Sequence, residues 1–141
     1  MVLLLTLWLA AAPEPARGAC DYERVDVDPK AWASYLKQLQ AAVDKPDLDE
    51  VVVLARLPLA VNVPGADGGV SRQQVGEAEL RASFAKIFTP RVVLAVRNAT
   101  VKKTFCNSKG LMIGDGELWF SERSKPKKGE PRFEILAVNP R

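Results

Sequence analysis

Two apolar runs separated by Asp-Gly, within FCNSKGLMIGDGELWFS from Phe105 to Ser121, leave this part of the chain little choice but to double back on itself. A two-residue Asp115-Gly116 connection needs positive φ at both central positions, which Asp and Gly accept at low cost. The expected hairpin sets Leu111-Met112-Ile113-Gly114 against Glu117-Leu118-Trp119-Phe120. Side chains alternate along a strand, so Leu118 and Phe120 share one face and Trp119 takes the other.

Upstream of the hairpin the pattern is mainly helical. Asp28-Pro29 is an N-cap and first-turn pair. Trp32, Leu36, Leu39 and Val43 then recur at helical spacing up to Asp44-Lys45, before Pro46. Asp47 caps a short segment through Leu54, with Asp49 and Glu50 suited to a first turn; its Val51-Val52-Val53 run leaves an early strand as the alternative. Leu57–Val63 reads as a strand, with Pro58 at its start or on an edge because it lacks an N–H. Pro64–Gly69 is a loop, Glu77–Ile87 a helix with Leu80, Phe84 and Ile87 as its stripe, and Thr89-Pro90 opens another helix to about Val96. Strands follow at Thr104–Asn107, Gly110–Gly114, Glu117–Glu122 and Arg132–Val138. Helices with one strand, then a run of strands, predict an α+β domain: a strongly curved antiparallel sheet wrapped around N-terminal helices, not a doubly wound parallel sheet. No internal repeat is visible.

Composition narrows the chemistry. With 141 residues, 48% hydrophobic and 26% charged, the chain suits one folded domain. The net charge of +3, in mixed signs, argues against a nucleic-acid surface. There is no histidine, which removes the commonest general base and the commonest zinc ligand. No metal site and no cofactor are expected.

The opening MVLLLTLWLAAA is too short for a permanent membrane span but suits the core of an export signal. Ala16 and Gly18 stand at −3 and −1 of a cleavage site, although no Lys or Arg precedes the apolar run. The expected organisation is an export signal over 1–18 and a single α+β domain over 19–141, in the bacterial periplasm or secreted. Acylation of Cys20 is the lesser alternative, since Arg17 stands where a lipoprotein signal wants an aliphatic residue. Two cysteines in an exported chain predict a Cys20–Cys106 disulfide, against the alternative of two free thiols with Cys106 as a small core residue.

These landmarks resemble the nuclear-transport-factor-2-like superfamily, in particular its small exported bacterial members. The matching pieces are the long first helix, Leu57-Pro58-Leu59-Ala60-Val61-Asn62, Ile87-Phe88-Thr89-Pro90-Arg91, Phe105-Cys106-Asn107, the Gly110–Phe120 hairpin and Ile135-Leu136-Ala137-Val138-Asn139. Together they span most of 29–140. The resemblance implies a cone, a bent sheet closing over helices around an apolar pocket. That superfamily includes isomerases and dehydratases as well as proteins without catalysis. The steroid-isomerase type needs an Asp base with Tyr and protonated Asp donors in an apolar pocket. Here the tyrosines, Tyr22 and Tyr35, fall on the N-terminal coil and first helix, so the enzymatic roles do not carry over residue by residue.

Three residues are the candidate ligand contacts: Asn62 on the first strand, Glu117 after the turn, and Trp119 for stacking. For each, a structural duty competes: amide bonding to backbone, ion pairing with Lys or Arg, and packing. Asn107 is weighed in the same way. Arg56 and Arg91 are candidate anion contacts or surface ion-pair partners. Asn98-Ala99-Thr100 matches the glycosylation pattern by chance. The basic loop 123–132 is a solvated connection, or else a contact for anionic lipid or an anionic polymer. The expected function is a non-enzymatic exported binding protein for a small apolar molecule or a protein partner. Membrane contact is expected only through the signal segment or the basic loop, and a homodimer is one use of the sheet face. The alternatives are an isomerase or dehydratase using Glu117 or Glu122 as a base, and an interaction or inhibitor module acting through its sheet face.

Overall fold

The computed structural model describes residues 18–140; the expected export segment, but for Gly18, lies outside them. Helix α1 spans Pro29–Asp44 and α2 Leu48–Leu54, leading into β1 (Ala55–Pro64) and β2 (Val70–Val75). Three helices follow, α3 (Glu77–Ala82), α4 (Phe84–Ile87) and α5 (Pro90–Asn98). The chain ends in a meander of β3 (Phe105–Asn107), β4 (Gly110–Ile113), β5 (Leu118–Glu122) and β6 (Phe133–Val138). The architecture is α+β, but the sheet is mixed rather than antiparallel. Its order is β2-β1-β6-β5-β4-β3, and β1 runs parallel to β6. Alternating patterns show that a strand exists, not which strand lies beside it. This parallel pair is closed through all the intervening chain, which no local signal reports.

Strand β2 was not expected. Its residues, Val-Ser-Arg-Gln-Gln-Val, carry no apolar alternation, and only Val75 is buried. Backbone pairing makes this strand: Leu59 through Pro64 pair in register with Val75 back to Val70, and the loop between is closed by Gly65 N–H donating to the Gly69 carbonyl (2.6 Å).

The hairpin register holds while its turn differs. Ile113 pairs with Leu118, Met112 with Trp119 and Leu111 with Phe120, as the sequence predicts. The connection is nevertheless four residues, Gly114 to Glu117. Positive φ falls at Gly114 (62°) and Gly116 (100°), not at Asp115. Two glycines flanking Asp115 accept the left-handed conformation more cheaply than Asp115 itself, and Glu117 leaves the strand to close the turn.

The helical caps form as their residues dictate. Asp28 Oδ1 accepts from Lys30 N–H (2.9 Å), Asp47 Oδ1 from Glu50 N–H (3.2 Å), and Thr89 caps α5 with Pro90 in its first turn. Residues 48–54 are helical despite their valines. The expected Glu77–Ile87 helix breaks at Ser83, whose carbonyl restarts the chain by accepting from Lys86 and Ile87 (2.9 and 3.1 Å). The offset stacks Phe84 on Phe88 with ring centroids 4.8 Å apart.

Between sheet and helices lies one apolar core, to which α1 contributes Trp32, Tyr35, Leu36, Leu39, Ala42 and Val43. From the sheet come Leu111, Ile113, Leu118, Phe120, Phe133, Ile135 and Val138. Cys20 and Cys106 form a disulfide across 86 positions, tying the N-terminal segment to β3 beside the Cys20 N–H to Thr104 carbonyl bond (2.8 Å). Register shifts interrupt β1 between Ala55 and Ala60, and β5 between Trp119 and Phe120; such bulges bend and twist a strand. Pro58 falls inside the first, where its missing N–H costs no ladder bond.

Candidate functional site

Two of the three candidate contacts, Asn62 and Glu117, come together at the β4–β5 turn. Asn62 Nδ2 donates to Asn139 Oδ1 (2.8 Å), and Asn139 Nδ2 donates in turn to the Gly116 carbonyl. Asn139 N–H also donates to the Glu117 carbonyl (2.8 Å). Glu117 is buried, its side chain 8% exposed, and both of its carboxylate oxygens are engaged. Oε2 accepts from Asp115 N–H (2.6 Å), and Oε1 accepts from Arg91 Nε (3.2 Å) at the start of α5. Thr89 Oγ1, at the α5 cap, donates to the Pro140 carbonyl (3.2 Å). One network thus fastens the turn, the α5 N-terminus, β1 and the residues after β6. A carboxylate buried this far is tolerable because it has a cation and an N–H donor. Arg91 and Glu117 also line an open cleft of about 380 Å³ with Leu94, Lys103, Gly114 and Asp115.

Trp119 lies apart from that network. Leu118 and Phe120 are fully buried in the helix-packed core, whereas Trp119 is half-buried on the opposite face. Its ring meets Phe105 edge-on with centroids 6.4 Å apart. Register places Met112, Ala137 and Ala60 on the same outer face, through the pairs Phe105–Met112, Met112–Trp119, Trp119–Ala137 and Ala60–Ala137. Met112, Ala137 and Ala60 are buried yet stand outside the helix-packed cluster.

The inner space, where the resemblance implies a pocket, is occupied by aromatic side chains. Trp32 stacks on Tyr35 (5.5 Å), and both meet Phe120 and Phe133 at 5.0–5.7 Å. Their polar tips have partners inside the core. Trp32 Nε1–H donates to Thr104 Oγ1 (2.9 Å), and Tyr35 O–H donates to the Leu54 carbonyl (2.7 Å). Burial pushes the Tyr35 hydroxyl well above the usual tyrosine value.

A second ionic group, not foreseen as a unit, sits at the opposite end of the sheet around Glu134. This residue is 7% exposed and faces Arg56 Nε (2.8 Å) and Arg123 Nη1 (3.3 Å). Arg123 also meets Glu130 (2.9 Å) and donates to the Val53 carbonyl (2.8 Å). The signal available in the sequence was a lone glutamate inside the apolar run Phe133–Val138. Arg56 and Arg91 thus both serve as ion-pair partners. Glu122, 31% exposed at its side chain, lies 3.7 Å from Arg132. Asn107, the exposed last residue of β3, accepts from Lys109 N–H (2.8 Å) in its own turn. Among the described residues, no group of His, Cys, Asp and Glu could hold a metal ion, and no helix is long and apolar enough to cross a membrane.

No family model, no curated protein and no solved structure matches this chain.

Proposed function

We propose that this chain is a non-enzymatic exported binding protein with nuclear-transport-factor-2-like architecture, and that it engages a protein partner through the outer sheet face around Trp119. The observation carrying this reading is the occupied interior. Trp32, Tyr35, Phe120 and Phe133 fill the space where a small apolar ligand or a substrate would enter, and the aromatic polar tips are already bonded. Binding then falls to the surface. Half-buried aromatics such as Trp119 and Phe105 are the kind of residue in which interfaces concentrate their energy. The disulfide supports an oxidising compartment, in line with export to the periplasm or medium.

The isomerase or dehydratase alternative draws less support. A general base needs a free lone pair beside an apolar cavity, whereas both Glu117 oxygens are held, and Glu122 Oε1, buried and without a hydrogen-bond partner, faces the Arg132 guanidinium at 3.7 Å.

Site-specific photocrosslinking tests the proposal. A photoreactive phenylalanine replaces Trp119 in one variant and Leu94, an exposed residue of α5, in another, with the chain expressed through the export machinery. A protein adduct specific to position 119 is expected. Adducts at 94 alone, or a stoichiometric apolar small molecule released from the purified chain, would contradict it.

A further inference from the structure

The connection between β5 and β6, Arg123 to Arg132, divides its charges in an ordered way. Its one acid, Glu130, turns inward: Oε2 meets Arg123 Nη1 (2.9 Å) and Oε1 accepts from Lys127 N–H (3.0 Å). Arg123, at the base, is anchored to Glu134 and to the Val53 carbonyl. Arg132 lies against Asp28 (4.0 Å) and Glu122 (3.7 Å), and Arg56 against Glu134. Each carboxylate behind the loop therefore faces an arginine. Among the described residues the lysines receive none. Lys125, Lys127 and Lys128 are exposed and face no carboxylate of a described residue at ion-pair distance, and Pro126 and Pro131 stiffen the segment that presents them. Beside the loop base stands Val53, 46% exposed, with Leu57, 38% exposed, just past Arg56.

We infer that this end of the molecule docks on an anionic lipid bilayer, with Lys125, Lys127 and Lys128 facing the headgroups and Val53 at the apolar edge of the contact. A soluble polyanion would use the lysines alone. The neighbouring exposed apolar side chains fit a lipid surface, where charge attraction and apolar burial add. The loop offers no aromatic between its cations on which a nucleic-acid base would stack. Each lysine near an anionic leaflet strengthens binding roughly fivefold, so three give on the order of a hundredfold. Docking there would leave the outer sheet face to be engaged separately, so the two proposals stand or fall independently.

The test is sedimentation of the full chain with vesicles of phosphatidylcholine alone or containing phosphatidylglycerol. The expected result is a preference for the anionic vesicles on the order of a hundredfold, lost at high salt. In the K125Q/K127Q/K128Q variant, checked for an unchanged melting curve, the preference falls to a few-fold. Val53→Ser lowers anionic-vesicle affinity about two- to fivefold and leaves binding to heparin unchanged. Equal binding to both vesicle types, or a preference surviving the triple substitution, overturns the inference. Val53→Ser without effect on vesicles, with tight heparin binding, overturns the lipid assignment in favour of a soluble polyanion.

Discussion

Removing the disulfide perturbs this molecule in a way whose size follows from its topology. The bridge closes a loop of 86 positions, and the chain-entropy relation gives roughly 4–5 kcal/mol for a closure of that length. Total stabilities of small domains are about 5–15 kcal/mol, so the bridge accounts for a large share. The full amount is lost only if the N-terminal segment stays docked after the bridge is cut. Its own attachments include Cys20 N–H to Thr104 (2.8 Å), the Tyr22 hydroxyl to the Val101 carbonyl (2.6 Å), and Tyr22 and Val27 packed on the core. Were the segment to detach, the loss would be capped near the worth of those contacts, each hydrogen bond contributing about 1 kcal/mol. The Cys20→Ser, Cys106→Ser double variant should therefore lose about 3–5 kcal/mol. Urea unfolding followed by tryptophan fluorescence reads this as a midpoint about 2 M lower, with a steeper slope because the uncrosslinked chain expands further. A midpoint within about 0.3 M of the oxidised protein would refute the reasoning, since segment and bridge would then contribute nothing to the fold.

Further outcomes follow from single groups. Asn139→Ala cuts the link between Asn62 and the β4–β5 turn and should cost about 1–3 kcal/mol by thermal unfolding; a neutral result would mean the turn holds itself. At Gly110, a Cβ would run into the Phe120 carbonyl and φ is +138°, so Gly110→Ala should abolish folded expression or lower the melting temperature sharply, and a well-folded variant would contradict the β4–β5 spacing. Burial raises the Tyr35 pKa, so the folded chain keeps a proton that the unfolded chain releases above about pH 10. That stabilising contribution is complete below about pH 10 and disappears as pH rises through the raised value, Tyr22 acting in the same direction. Tyr35→Phe should make this alkaline loss shallower while costing about 1 kcal/mol at neutral pH; an unchanged alkaline slope would show the hydroxyl to be solvated.

What the sequence made legible is whatever depends on neighbouring residues. Asp28-Pro29, Asp47 and Thr89-Pro90 act on donors two or three positions away, and all three caps form. The spacing of Trp32, Leu36, Leu39 and Val43 buries that face as expected, and strand alternation separates Trp119 from Leu118 and Phe120. Where two local solutions compete, the residues do not decide between them. Gly-Asp-Gly allows a two-residue or a four-residue turn in the same register, and Glu117 selects the longer by bonding Asp115 and Arg91. Least legible is what only tertiary pairing creates. Strand β2 exists because β1 offers it a backbone partner, and β1 meets β6 in parallel across most of the chain. The partner of Glu117 was anticipated as Lys or Arg, but Asn139 as the bridge from Asn62 was invisible, since 77 positions separate the two amides.

The claim on which the functional account rests is that side chains occupy the interior, and the indole proton of Trp32 reports on it directly. Trp32 is fully buried and bonds Thr104 through that proton, whereas Trp119 is half-buried on the outer face. Hydrogen exchange of the indole N–H groups, followed by NMR in heavy water, should leave the Trp32 proton protected for as long as the slowest backbone amides, with Trp119 exchanging within minutes. Exchange of Trp32 as fast as that of Trp119 would mean that solvent enters the helix–sheet interior, and would return the pocket to the place where small ligands bind.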